Sequence, residues 1–309
     1  MSDKYDISMR ASLIPLSLLL ASLPAAARAD DALLPPAVRE MMEAAIANGN
    51  ETDIATVAKI AKQTNPASAD EIQRMVTRWK DRTKATHDNV IREARFTELW
   101  TGRIEAGGFR STGSTSELGI SLAATATREG IEWTHKLTAS ADYRRANGVT
   151  SRERYFGSYE PRFQFDPRGF AYGLAQFERD TSIGYDERYT GSVGVGYKII
   201  VSKPVDLSAD LGPSIRHAKY VIGPRETKVG VRGSMALAWR ALPTLTFKQT
   251  ASAYAESDVY TFNALTSVET KVTTRWSAAI SYNMQYESET LLQTGGLDTL
   301  SRLTLTYDF

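Results

Sequence analysis

Residue types that support nucleophilic or metal chemistry are scarce in this sequence. It contains no cysteine and only three histidines, His87, His135 and His217. The absence of cysteine excludes zinc fingers, iron–sulfur sites, thiol nucleophiles and disulfide bonds. The sequence also lacks the Walker A and dinucleotide-binding patterns. We therefore predict that the protein is not an enzyme and that it uses neither a metal ion nor a cofactor.

His135 is the one histidine that invites a catalytic interpretation. An esterase embedded in a membrane would need a serine–histidine pair on its outer surface. His135 shares one face of a predicted strand with Trp133, but the sequence around it offers no serine with an orienting partner. A histidine at the membrane interface explains the pattern more simply, and an esterase is kept as a distant alternative.

Charged residues recur at alternate positions after Glu98. If these stretches are strands of a barrel with an apolar exterior, the charged side chains point into its interior. Both signs are present, which favours either a network of paired charges or a narrow constriction for small charged or zwitterionic solutes. The charges on the inward parity are Arg103, Glu105, Glu132, Lys136, Asp142, Arg154, Glu160, Arg162, Arg179, Asp206, Asp210, Arg216, Arg232, Arg240, Lys248, Glu256, Arg275 and Arg302.

The segments that carry these charges have the length and pattern of membrane-spanning strands. Apolar and polar residues alternate throughout 302–309 and throughout 275–287 except at Ala279. Such segments exceed the usual strand of about 5–6 residues and suit the 9–11 residues of a strand that crosses a bilayer. Twelve are predicted, at 98–110, 115–128, 131–145, 150–165, 169–182, 187–200, 205–218, 227–241, 244–256, 259–271, 274–287 and 299–309.

The connections between these segments predict an orientation. Tight turns at 128–130, 166–169, 202–204, 242–243 and 272–273 alternate with longer connections at 146–148, 183–186, 221–226 and 288–298. Short periplasmic turns and longer extracellular loops are typical of outer-membrane barrels. A soluble β-sandwich or lipocalin-like barrel is the alternative, and it would turn its apolar face inward.

Aromatic residues cluster near the predicted strand ends, where rings can lie at the level of the lipid headgroups. We predict that they belong to the outer surface. They are Tyr143, Tyr155, Phe163, Phe165, Phe170, Tyr172, Tyr197, Trp239, Phe247, Trp276, Tyr282, Tyr286 and Tyr307.

The chain before the barrel is predicted to be helical and to form a small periplasmic extension. Pro36 suits a first helical turn, Gly49 a helix end, and Asn50 the cap of a second helix. Ser68 followed by Glu71 is a capping-box pattern that opens a third helix. The extension is interpreted as a solvated bundle, with a docking arm for a partner as the alternative.

The N-terminus has the layout of a secretory signal. A positive stretch at Met9 and Arg10 is followed by an apolar run and by the small residues Ala27 and Ala29. Translation from Met9 is an alternative, because Asp3 and Asp6 are unusual in such a signal. The predicted domains are a signal peptide at 1–29, a periplasmic helical extension at 30–97 and an outer-membrane β-barrel at 98–309.

The C-terminal residues Tyr307 and Phe309 resemble the recognition strand of outer-membrane proteins, with Thr304 where a glycine is usual. This resemblance implies delivery by periplasmic chaperones to the barrel-assembly machinery. The partners expected are therefore these proteins and the lipid and lipopolysaccharide of the outer membrane. A formal net charge of +1 provides no basic field for nucleic acid.

Several motifs also resemble a known family. They are Trp100-Thr-Gly102, Gly107 to Thr115, Trp133-Thr-His-Lys136 and Tyr172 to Asp180, in that order. The stretch from Trp100 to Phe309 is similar to the salt-induced outer-membrane protein family, catalogued as domain of unknown function 481. The resemblance implies an outer-membrane β-barrel of a Gram-negative bacterium with no assigned activity and no catalytic residues.

Two classes of function remain for such a barrel. The first is a narrow passive channel for small charged or zwitterionic solutes, slightly favoured because twelve strands enclose more space than the inward side chains obviously fill. The second is a structural or stress-related envelope protein whose lumen is closed.

Overall fold

The computed structural model describes residues 34–111, 117–257, 259–288 and 296–309. These residues form three α-helices, two short 3₁₀ turns and twelve β-strands. The predicted signal peptide lies outside the described residues. The chain divides into two compact units, with the boundary between Thr86 and His87. Among the described helices, none is both long and apolar enough to cross a membrane.

The helices are α1 (Pro36–Asn48), α2 (Glu51–Thr64) and α3 (Ala69–Glu93). Their ends follow from local chemistry. Gly49 adopts a left-handed φ of 72° after α1, and the Asn50 side chain accepts hydrogen bonds from the Thr52 and Asp53 backbone N–H groups. The Ser68 N–H, which a reciprocal capping box would direct to the Glu71 carboxylate, donates to the Asn65 carbonyl.

Glu71 has a different role from the one expected in that box. Its carboxylate accepts from the Leu34 backbone N–H, 3.0 Å away, and from the Arg39 guanidinium. The hydrogen bond from Leu34, followed by the interaction with Arg39, lowers the pKa of Glu71 below its usual range. The chain that enters α1 is thereby attached to α3. A small apolar core of Leu34, Met42, Ala58, Ala61, Ile72 and Met75 lies within this helical unit.

The second unit is a closed antiparallel barrel in which each strand pairs with its neighbours in sequence and β1 pairs with β12. The predicted twelve-stranded barrel is confirmed. Its strands are β1 (Trp100–Ser111), β2 (Glu117–Glu129), β3 (Trp133–Ala146), β4 (Val149–Gln164), β5 (Gly169–Asp180), β6 (Tyr185–Val201), β7 (Val205–Tyr220), β8 (Arg225–Arg240), β9 (Leu245–Glu256), β10 (Tyr260–Lys271), β11 (Trp276–Glu287) and β12 (Gly296–Asp308).

The two rims of the barrel differ less than the sequence suggested. We call the rim where β1 begins and β12 ends the terminal end, and the opposite rim the loop end. Connections at the loop end range from a two-residue turn at 147–148 to the stretch 288–295. Asn147 and Gly148 both have positive φ, as a tight hairpin turn requires. A uniform contrast between short turns and long loops is therefore not present.

The barrel is apolar outside and polar inside. Outward side chains such as Leu122, Val193 and Leu303 are 53%, 63% and 70% exposed, whereas Arg188 and Glu178 on the inner face are each 2% exposed. A soluble lipocalin-like barrel has the reverse arrangement, so that alternative does not hold. An outer surface of this kind is the one that lipid stabilises.

Candidate functional site

The barrel interior contains a layer of buried charges towards the loop end. Glu178 accepts two hydrogen bonds from Arg154, at 2.8 and 3.1 Å, and further bonds from Arg188. Arg188 also donates from Nη1 to Glu287 at 3.1 Å, and the Tyr185 hydroxyl donates to the same carboxylate. We call these five residues the ionic layer.

The ionic layer spans the lumen. Arg188 and Tyr185 belong to β6 and Glu287 belongs to β11, and β7, β8, β9 and β10 lie between these two strands on one side of the barrel. The contact between Arg188 and Glu287 therefore connects nearly opposite walls. Charges taken out of water are stabilised only when they are paired and hydrogen-bonded, and each guanidinium of the layer meets a carboxylate.

Further pairs extend the layer around the wall. Arg152 donates to Asp180 at 3.2 Å, and Asp180 is fully buried. Arg216 lies 3.3 Å from Glu256 and places its guanidinium 3.7 Å from the centre of the Tyr254 ring. These contacts fill the interior at the level of the ionic layer with side chains.

Between the ionic layer and the terminal end lies a cavity of about 770 Å³. Arg103 donates to Glu269 at 2.6 Å and to Asp308 at 2.9 Å, and Lys248 donates to the same Glu269 at 2.8 Å. These pairs occupy one side of the cavity and bring charges from β1, β9, β10 and β12 together. The cavity is thus lined by both signs of charge.

Lys136 and Glu105 also line this cavity. Unlike the residues around them, neither forms an ion pair within 4 Å in the described part of the chain. Glu160 is the cross-strand neighbour of Lys136, but its carboxylate pairs with Arg162 on its own strand at 2.6 Å. One ammonium and one carboxylate are therefore available to a solute in the cavity.

A second group of inward charges surrounds Asp210. Its two oxygens accept from Arg232 and Ser234, each at 2.6 Å, and Arg162 lies 3.9 Å away. Arg302 forms a further pair with Asp142, at 2.8 Å, that spans from β12 to β3. These inward residues therefore belong to a network of pairs and not to a set of isolated charges.

Two aromatic residues predicted to face lipid face the lumen instead. Phe170 and Tyr172 are 2% and 5% exposed, on the same side of β5 as Glu178. Their cross-strand partners on β6 are Gly196 and Gly194. A Cβ at Gly196 would lie 2.2 Å from the Phe170 ring, so glycine is what admits the ring. The small inward residues of β6 accommodate aromatic rings of β5.

Three predicted lumen charges lie elsewhere. Glu132 and Arg275 are exposed in the turns before β3 and β11, because both strands begin later than the sequence indicated. Arg179 has the outward parity of β5, between inward Glu178 and Asp180, and lies 3.8 Å from Asp186. Their roles as lumen charges are therefore corrected.

Arg240 and Asp206 have the inward parity and pair with one another, but their side chains are 54% and 44% exposed. They belong to the rim at the terminal end, where β7 begins and β8 ends. Water screens such a pair, so that it contributes little to stability.

The ionic layer itself was only partly visible in the sequence. The sequence pattern does not single out Tyr185, Arg188, Glu178 and Glu287, because their importance comes from contacts between strands remote in sequence. A signal existed in β5, where Gln176, Glu178 and Asp180 occupy alternate positions. These polar residues indicate that the even-numbered positions of β5 face the lumen. Phe170 and Tyr172 share that parity, so the same pattern assigns them to the lumen.

The surroundings of His135 do not form a catalytic pair. Its Nδ1 hydrogen-bonds with the Tyr159 hydroxyl at 2.9 Å, and its ring is nearly parallel to the rings of Trp133 and Tyr159, with 6.1 Å between ring centres in each case. His217 likewise contacts the Thr227 hydroxyl. Neither histidine hydrogen-bonds with a serine in the described residues, and the geometry gives no support to the esterase alternative.

The C-terminal residues close the barrel. The backbone N–H and carbonyl of Phe309 each form a 2.9 Å hydrogen bond with Gly102, and a Cβ at Gly102 would lie 2.2 Å from the Phe309 ring. Tyr307 packs against Trp276, with 5.0 Å between ring centres. The two residues of the predicted assembly signal thus attach β12 to both neighbouring strands.

Solved structures with a likeness to this chain include outer-membrane porins and channels. The NanC porin is 12% identical, with 67% of this chain and 97% of that chain covered and a TM-score of 0.40. The translocator domain of the autotransporter NalP from Neisseria meningitidis is 14% identical, with 74% and 96% covered and a TM-score of 0.38. An outer membrane channel from Pseudomonas putida F1 is 7% identical, with 70% and 100% covered and a TM-score of 0.42.

Likenesses at this level carry no conclusion about activity. Among the curated proteins, none matches the chain. The family comparison is more specific, because it covers two thirds of the chain, from the start of the barrel wall to the last residue. The match extends over residues 104–309, and the chain belongs to the family described as protein of unknown function, DUF481.

Proposed function

We propose that the protein is an outer-membrane barrel of a Gram-negative bacterium that acts as a narrow, normally closed channel for small charged or zwitterionic solutes. The apolar outer face and the aromatic side chains near the strand ends support the membrane location. In this proposal the signal peptide is cleaved near Ala29, and Tyr307 and Phe309 direct the chain to the barrel-assembly machinery.

The observation that carries the proposal is a cavity lined by Lys136 and Glu105, neither of which forms an ion pair with another described residue. A solute carboxylate would be attracted by Lys136 and a solute ammonium by Glu105. Water fills a cavity of this size, so that charges on its wall interact with solutes more weakly than in a dry core. Weak binding is what passage requires, because the solute must also leave.

The ionic layer acts as the barrier in this proposal. For a solute to pass, the ion pair between Arg188 and Glu287 must break. The ion pair between Arg154 on β4 and Glu178 on β5 stays intact on the barrel wall. Breaking only the cross-lumen contact costs less than dismantling the layer, because Arg188 keeps its bonds to Glu178. The closed state is therefore the resting state.

A closed-lumen structural protein is the second candidate. It is favoured by the complete burial of the ionic layer, since such pairs can serve to fix one arrangement of the barrel walls. In that case the lumen never conducts and its charges serve stability alone.

Conductance in planar bilayers separates the two candidates. Purified wild-type protein should give rare, small steps, and Glu287→Ala should make the steps more frequent by removing the cross-lumen acceptor. Lys136→Glu should shift the reversal potential towards cation selectivity. Arg240→Ala, at the exposed rim, is the matched control and should leave both readouts unchanged.

Silence of the wild type and of Glu287→Ala across a range of voltages and salts would reject the channel. The proof of folding for each variant is the heat-modifiable gel mobility that closed barrels show. A folded but silent Glu287→Ala barrel therefore counts for the structural candidate.

A further inference from the structure

The seam between β1 and β12 is only partly closed by hydrogen bonds. Register pairs run from Arg103 with Asp308 to Gly107 with Thr304, and none follows among the described residues. Continuation would pair Gly108 with Leu303 and the next residues of β1 with Arg302 and its neighbours. The wall of the barrel therefore opens at this seam towards the loop end.

Both strands continue on their other sides. β1 remains paired with β2 as far as Ser111 and Glu117, and β12 remains paired with β11 as far as Gly296 and Glu287. Among the described residues, the edges of β1 and β12 beyond Gly107 and Thr304 thus face each other without register pairs. In hydrocarbon an unsatisfied backbone N–H or carbonyl costs several kcal/mol, so a barrel edge that faces lipid is stabilised by a polar group in the opening.

A cleft of about 150 Å³ lies at this opening. Its outward part is apolar, with Ile120, Tyr143 and Leu303 on the lipid side. Its inner part is lined by Arg144, Arg152 and Arg302 together with the carboxylate of Asp142, and Arg152 also donates to Asp180 outside the cleft lining. We call it the seam cleft. The apolar outward part suits the acyl chains of an amphiphile, and the inner part, lined by arginines, suits an anionic headgroup.

The inner wall of the seam cleft offers donors that the protein does not use. The Nε–H groups of Arg152 and Arg302 are buried and have no acceptor among the described residues. Arg302 and Asp142 line the lumen cavity as well, and their 2.8 Å pair separates it from the seam cleft. An anionic oxygen entering from the membrane would meet these guanidinium groups.

We infer that the seam cleft binds a lipid of the surrounding leaflet whose phosphate-bearing headgroup carries a net negative charge. Its headgroup lies against Arg144, Arg152 and Arg302, and its acyl chains lie against Ile120 and Leu303. Phosphate oxygens are the acceptors that arginine forks bind best. This inference does not depend on whether the lumen conducts, because the lipid reaches the seam cleft sideways through the wall.

Native mass spectrometry of the full chain in mild detergent tests the inference. The probes are a phosphatidylglycerol and a phosphatidylcholine with identical acyl chains, offered in equal amounts, with inorganic phosphate as a separate arm. Phosphatidylglycerol should be retained about tenfold more strongly, the factor expected for one charge-assisted contact. Inorganic phosphate should compete weakly, because it lacks the apolar part.

Two variants assign the retained lipid to the seam cleft. Leu303→Trp should fill the cleft and abolish the preference for phosphatidylglycerol. Leu305→Trp is the control and should retain the preference, because Leu305 lies on the same face of β12 but at a position where β12 is paired with β1. Arg144→Gln should remove most of the preference without blocking the apolar part. Each variant must show the gel mobility of a closed barrel, and Arg144→Gln provides the readout if Leu303→Trp fails to fold.

Equal retention of both lipids by the wild type would overturn the inference. So would equal losses for Leu303→Trp and Leu305→Trp, which would indicate a general lipid annulus. Strong competition by inorganic phosphate alone would identify an aqueous anion site and would also reject the lipid.

Discussion

The Arg188 guanidinium on β6 donates to the Glu287 carboxylate on β11, 3.1 Å away, and so joins two walls that lie across the lumen from each other. Both side chains are nearly fully buried. Removal of one therefore leaves the charge of the other buried, with neither its counter-ion nor water to stabilise it. The energetic consequence of this geometry can be measured directly.

Arg188→Ala should lower the free energy of unfolding by about 3–5 kcal/mol, because Glu178 and Glu287 lose a buried counter-ion together. Reversible guanidinium unfolding in detergent micelles measures it. Arg240→Ala breaks an exposed pair and should cost less than about 1 kcal/mol. Equal losses for the two variants would show that the ionic layer is as solvated as the rim.

The contact between Phe170 and Gly196 gives a steric prediction. A Cβ at position 196 would lie 2.2 Å from Phe170 Cζ and 2.9 Å from the Ala209 carbonyl oxygen. Gly196→Ala should therefore destabilise the barrel by roughly 1–3 kcal/mol, as overpacking does.

Gly157→Ala is the control for that substitution, since no neighbouring atom lies within 4 Å of its added Cβ. The same unfolding measurement should find it neutral. A neutral Gly196→Ala would mean that the Phe170 ring has room to move and does not depend on glycine.

The strands were predictable from sequence because a barrel wall imposes one local rule, alternation, over long stretches. Strands β1 to β12 all begin and end within a few residues of their predicted positions. Errors in placing charged residues occur at strand ends, because alternation gives no local indication of where a strand begins. Glu132 and Arg275 lie just outside a strand, and alternation continues into a turn without indicating where pairing stops.

The interior was harder to predict for a physical reason. Alternation states which side chains point inward but not which of them meet across the lumen. Arg188 and Glu287 are 99 residues apart in sequence, and their contact depends on the closure and tilt of the whole barrel. Phe170 and Tyr172 were misplaced because aromatic residues suit a lipid interface equally well, and only the glycines opposite them favour the lumen.

The assignment of inner and outer faces predicts a contrast between neighbouring positions on β2. Leu122 is exposed on the outer face, whereas Ala123 lines the lumen cavity. Leu122→Arg should cost about 2–4 kcal/mol if it lies at the bilayer midplane, since a charge there faces hydrocarbon. Ala123→Arg should be tolerated much better, because the cavity is polar.

Unfolding in lipid vesicles measures both variants of this pair. The contrast is independent of the ionic layer, which lies closer to the loop end. Equal destabilisation by the two arginines would mean that the cavity holds too little water to solvate a charge.

The helical unit offers a prediction about pH. The backbone N–H of Leu34 and the Arg39 guanidinium hold the pKa of Glu71 below its usual range. The unfolded chain therefore binds a proton at Glu71 before the folded chain does as the pH falls. The contribution of the ionised carboxylate to stability is complete above about pH 4.3, the ordinary pKa of glutamate, and is lost as the pH falls through the lowered pKa.

Glu71→Gln should consequently weaken the helical unit at pH 6 and weaken it less at pH 3, where a larger fraction of the wild-type Glu71 carboxylate is protonated. Amide hydrogen exchange of the full chain in micelles, followed for peptides within 34–86, measures protection relative to wild type at each pH. Glu51→Gln removes an exposed carboxylate 3.6 Å from Lys80 and should have a small effect at both pH values. A pH-independent loss of protection in Glu71→Gln would contradict the prediction, because it would show that the amide fails to hold Leu34 whatever the charge at position 71.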